Sequence, residues 1–100
     1  MPSIDTRVQW GTNAKINVLG IPNPGAVEEV TVSWSGTQLY QTSDPNDAQL
    51  HDLSTQYTNG NTYALDVGVT YDGTAGPRHF VNGNVVGNDG HTDDYELPQA

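Results

Sequence analysis

Three short stretches of the chain nearly repeat one another: Val8-Gln9-Trp10-Gly11-Thr12, Val32-Ser33-Trp34-Ser35-Gly36-Thr37 and Val69-Thr70-Tyr71-Asp72-Gly73-Thr74. Each runs from a β-branched residue through a polar one to an aromatic, then breaks at a Gly-Thr pair. A β-strand shows alternate residues to opposite faces, and glycine permits the tight turn that sends the chain back, so each stretch reads as one arm of a hairpin. Three hairpins in 100 residues leave room for little besides strands and turns.

That length makes about one domain with one core. Leu, Ile, Val and Phe number 20, and valine supplies ten of them, which predicts a thin, pleated core. The net charge is −9, with Arg7, Lys15 and Arg78 the only basic residues besides histidine. Phosphate backbones and anionic membrane surfaces are repelled by such a chain, so neither nucleic acid nor membrane insertion is expected. No apolar run approaches the roughly 18 residues of a membrane span. The start, Met-Pro-Ser-Ile-Asp, has neither the basic nor the apolar region of a signal peptide. The absence of cysteine excludes disulfides and thiolate metal sites.

Ile4, Thr6, Val8 and Trp10 alternate with polar residues, as do Ala14, Ile16 and Val18, and then Val30, Val32 and Trp34. Ile21-Pro22-Asn23-Pro24-Gly25 carries two prolines and reads as a loop. Ser35-Gly36 turns the chain into a strand at 37–42. Residues 43–53 fit either a short helix opened by Ser43-Asp44-Pro45 or an acidic loop. Tyr63 to Tyr71 is the clearest strand, its second face made of Ala64, Asp66, Gly68 and Thr70. Short strands are expected at 78–81 and 85–86 around Asn82-Gly83, and an irregular acidic tail at 88–100 that lies on a neighbouring subunit.

The expected fold is a single all-β domain over 1–100, an antiparallel Ig-like β-sandwich of about 6–8 short strands. Val30-Thr31-Val32-Ser33-Trp34 resembles the early strand of immunoglobulin-like and fibronectin type III domains that carries a core tryptophan. Leu53 followed by Thr62–Val69 resembles their late strand, which begins at a tyrosine corner, although the leucine-to-tyrosine spacing of ten is longer than that family's. The resemblance implies binding or spacing roles rather than catalysis. The predicted core is Val8, Ile16, Val18, Val30, Val32, Trp34, Leu39, Leu65, Val67, Val69 and Val81.

Three constellations could bind something. Trp10, Trp34 and Tyr71 could be stacking platforms for a glycan, or else core packing; the run from Trp10 to Trp34 resembles the repeat of fucose-binding propeller lectins, with Asn17 where those carry arginine. Asp44, Asn46 and Asp47 resemble a cadherin calcium linker, and Asp89, Asp93 and Asp94 form a second acidic group, so calcium is the cofactor candidate; the alternative is turn residues and a solvated tail. A zinc site of His79, His91 and Asp89 is the third, requiring convergence that spacing alone does not supply. No catalytic motif is present, and catalytic residues are expected to be none. The leading expectation is therefore a structural or assembly protein that binds a protein partner or itself, a virion component such as a phage capsid decoration or tail subunit, or otherwise extracellular. Ala64, Asp66, Gly68, Thr70 and Tyr95 are its expected interface. A glycan-binding or calcium-dependent adhesion module is the alternative.

Overall fold

The computed structural model describes residues 3–11, 15–45, 51–52 and 57–100. Strands are β1 (Ser3–Gln9), β2 (Lys15–Leu19), β3 (Val27–Trp34), β4 (Thr37–Thr42), β5 (His51–Asp52), β6 (Thr62–Tyr71), β7 (Arg78–Val86) and β8 (Thr92–Pro98), with one 3-10 turn at Pro24–Ala26 before β3. They form two antiparallel sheets with strand orders β5-β2-β1-β8 and β4-β3-β6-β7. One apolar cluster joins both: Ile4, Val8, Ile16, Val18 and Leu97 from the first sheet meet Val30, Val32, Trp34, Leu65, Val67, Val69, Phe80 and Val85 from the second.

Local chemistry sets these elements. The β3–β4 hairpin turns on Ser35 (φ 47°) and Gly36 (φ 85°), with Trp34 paired to Thr37. Two consecutive positive-φ residues give the turn whose twist matches that of the strands, and glycine adopts one of them without steric cost. β3 and β6 alternate as their sequences demand, placing Val30 beside Val69, Val32 beside Val67 and Trp34 beside Leu65.

Nine of the eleven predicted core residues are buried; Leu39 and Val81 are half-buried. Both departures come from bulges, where one extra residue shifts the alternation. Leu39 is the extra residue opposite Val32/Ser33. Residues 78–86 are one strand rather than two short ones, and its bulge near Asn84 lets Phe80 and Val85 both face inward despite their odd spacing. Val81 pairs with Asp66 on the outer face instead.

The expected irregular tail is corrected as well. Residues 92–98 are β8, antiparallel to β1, with Leu97 fully buried. An exposed Arg7–Asp94 pair at 2.8 Å matches this register on the outer side. At its end β8 reaches the other sheet: Gln99 bridges Phe80, and the Ala100 N–H donates to the His79 carbonyl at 2.9 Å. The helix-or-loop question at 43–53 falls largely outside the described residues; within it, 51–52 are strand.

Candidate functional site

The aromatic residues lie inside. Trp10, Trp34 and Tyr71 are 3%, 1% and 6% exposed, because each continues the inward phase of its strand. Trp10 stacks on Trp34 (5.8 Å, 14°), Trp34 on Tyr63 (5.0 Å, 29°), and Tyr57 meets Trp10 edge-on at 4.7 Å. Their polar handles are used internally. The Trp10 indole N–H donates to Asp93 Oδ2 at 3.0 Å, and the Tyr71 hydroxyl donates to the Pro22 carbonyl at 2.6 Å. The guanidinium of Arg78 covers the Tyr71 ring at 5.2 Å. Rings so enclosed offer no face to a sugar, which favours the packing alternative over the platform.

The acidic residues are dispersed among separate structural partners. Asp94 takes Arg7, Asp93 takes the Trp10 indole, and Asp89 accepts from the Tyr57 hydroxyl. The guanidinium of Arg7 bonds Asp94 and holds its carboxyl below the ordinary range. Burial, and then the bond to Asp89, push the Tyr57 phenol up. Burial likewise raises the Tyr95 phenol. Asp44 is exposed at the end of β4, its N–H donating to Thr42 Oγ1 at 3.1 Å; Asn46 and Asp47 lie outside the described residues. Among the described residues, no three His, Asp or Glu side chains converge as a metal would require. His79 and His91 are apart from Asp89 in role: His79 bonds Asp66, and His91 offers its backbone carbonyl to the Trp10 N–H at 2.8 Å.

The outer face of β6 has a definite shape. Ala64, Asp66, Gly68 and Thr70 share it, opposite the buried Leu65, Val67 and Val69. In register, Ser33 lies beside Asp66, Thr31 beside Gly68 and Glu29 near Thr70, while His79 faces Gly68 from β7. These residues and Pro77 line a trough of about 220 Å³. Gly68 makes the floor, with His79 and Pro77 leaning over it about 3.5 Å from where a Cβ would stand. His79 Nδ1 is 2.8 Å from Asp66 Oδ1, and the Thr31 hydroxyl donates to Glu29 Oε1 at 3.3 Å. The trough is thus rich in hydrogen-bond acceptors. Tyr95 does not join this face; it lies across from Thr6 in the other sheet, half-buried and inward.

The β3 and β7 contributions were missing from the expected interface. Glu29, Thr31 and Ser33 are the polar phase of a strand whose apolar phase was evident, so their common face was readable. Their position beside Gly68 depends on register, which local sequence does not encode. A wider, shallower depression of about 540 Å³ opens between the end of β7 and the start of β8, against Val86, Asn88 and Asp93.

No protein-family model matches the chain, and neither the curated proteins nor the solved structures include a match to it.

Proposed function

We propose that this chain is a non-catalytic assembly module with an immunoglobulin-like, fibronectin type III-like sandwich, docked to a protein partner through the outer face of β3, β6 and β7. The setting that best suits its size, acidity and lack of cysteine is a virion, as a capsid decoration or tail-associated subunit. The strand orders support the family reading. With β1–β7 taken as strands A, B, C, C′, E, F and G, the sheets become E-B-A and C′-C-F-G, with β8 added beside A. Tyr63 supports it further: at the start of β6, its hydroxyl accepts the N–H of Thr58 five residues upstream at 2.7 Å, the bond that defines a tyrosine corner.

The observation that carries the docking reading is the trough itself. The outer face of an antiparallel sheet is commonly a solvated polar surface, whereas here small residues on β6 and an enclosed glycine leave a concavity with no lysine or arginine lining it. A photo-crosslinking side chain placed at Thr31, in the trough, and separately at Asp5, on the outer face of β1, tests this in the native assembly. Adducts of one defined mass are expected from position 31 and not from position 5. Equal yields from both positions refute the reading.

A further inference from the structure

We infer that the trough over Gly68 takes a basic side chain, arginine foremost, presented by a protein partner; this rests on the reading of the face as a docking surface. The size limits the guest. Small-molecule sites usually enclose about 300–1,000 Å³, and 220 Å³ suits one side chain better than a whole ligand.

Charge selects it. Glu29 and Asp66 stand on adjacent strands, on opposite sides of Gly68 along the strand direction. Each has one oxygen committed, to Thr31 and to His79. Glu29 Oε2 and Asp66 Oδ2 have no hydrogen-bond partner among the described residues. The committed contacts orient the carboxylates, and the remaining oxygens together with the hydroxyls of Ser33 and Thr70 accept hydrogen bonds. A guanidinium brings five donors in a rigid fork and no acceptor, the complement of such a lining. The chain does not satisfy this demand itself: Arg7 is bound to Asp94, Arg78 lies over Tyr71, and Lys15 belongs to β2 in the other sheet. A second copy is a poor occupant, because face-to-face pairing sets Glu29 and Asp66 against their counterparts. Anionic partners are repelled outright, so the partner is a protein with an exposed basic side chain.

The test is amide NMR of the full chain titrated with Nα-acetyl-arginine methylamide, beside the lysine and norleucine analogues. At about 20 mM salt, arginine should shift the amides of Glu29, Thr31, Asp66, Gly68 and His79 and saturate, lysine should act more weakly, and norleucine should do nothing; about 0.5 M salt should largely abolish the shifts. Glu29→Gln should weaken binding about tenfold, as should Asp66→Asn, whereas Asp94→Asn on the other sheet should leave it unchanged. Undisturbed amide dispersion reports that each variant is folded. Shifts spread over every acidic surface, or insensitive to Glu29→Gln, overturn the inference. Crosslinks at Thr31 without arginine shifts refute the basic guest alone. Arginine shifts without crosslinks keep the guest and refute the assembly role.

Discussion

Replacing Thr6 with valine should stabilise this protein. Thr6 sits on the inward face of β1 between Ile4 and Val8, paired with Val18 on one side and Tyr95 on the other. It is fully buried, the one buried polar side chain among the described residues, and its hydroxyl has no hydrogen-bond partner among them. A buried hydroxyl left unsatisfied costs about 1–3 kcal/mol relative to water. Valine keeps the branched shape and the rotamer preference, and the added methyl contributes up to about 0.8 kcal/mol of burial. Allowing for imperfect fit of that methyl, the expected gain is about 1–2 kcal/mol, or roughly 4–16 °C in Tm for a domain of this size. Urea unfolding followed by tryptophan fluorescence measures it, with the midpoint rising and the slope unchanged. The reverse change at the next inward position, Val8→Thr, introduces the same unpaired hydroxyl into the same row and should cost a similar amount. A lower midpoint for Thr6→Val, with Val8→Thr well tolerated, would refute the reasoning, since both hydroxyls would then have found partners.

Trp34→Ala should cost about 3–5 kcal/mol, because a fully buried indole leaves a large cavity; a cost below about 1 kcal/mol would restore the platform interpretation. Gly87→Ala should destabilise by about 1–3 kcal/mol, since its Cβ would meet the Thr58 carbonyl oxygen and Tyr57 at 2.9 Å. Gly68→Ala should instead be neutral or gain up to about 1 kcal/mol, its Cβ resting at ordinary contact distances; thermal melts of the pair compare them. Asp94 ionises below its ordinary range because of Arg7, so its contribution is present above the unfolded carboxyl value and is lost as pH falls through the folded one. The Tm difference between wild type and Arg7→Gln should therefore shrink on acidification below about pH 4. Glu28 behaves oppositely: a hydrogen bond to Asp72 raises its carboxyl, so its effect on stability weakens the fold as pH rises through that range. Asp72→Asn should return the Glu28 titration, followed by carboxyl NMR, toward normal.

The legible parts of this fold were those in which the hydrophobic period stayed in phase. β3 from Val30 to Trp34 and β6 from Leu65 to Tyr71 keep their alternation, and the sequence showed those inward faces residue by residue. Phase was lost wherever a bulge intervened, which is why Val81 was expected inside and Phe80 was not. β8 was missed for a different reason. Its inward residues are Asp93, Tyr95 and Leu97, and an aspartate can face a core only because the indole N–H of Trp10, just past the end of β1, meets it. That partner is 83 positions away in the chain, beyond any local pattern. The same holds for the trough, whose β6 face was visible in sequence while Glu29 and His79 arrive by strand pairing. The aromatic residues were identifiable as strand ends, but their burial depended on four rings gathering from distant segments.

The closing of β8 against β7 has a bearing on how copies of this chain can meet through their backbones. Growth of a ribbon by edge-to-edge pairing needs two available edges per molecule, one to receive and one to extend. On one flank, the Phe80–Gln99 bridge and the Ala100 N–H occupy backbone groups that would otherwise face outward. Among the described residues, the other outermost strands, β4 and β5, both lie on the opposite flank. Backbone pairing between copies is therefore obstructed at Phe80 and His79, on the β7–β8 flank. A neighbouring strand that sought to pair at those two residues would first have to displace 99–100 from them.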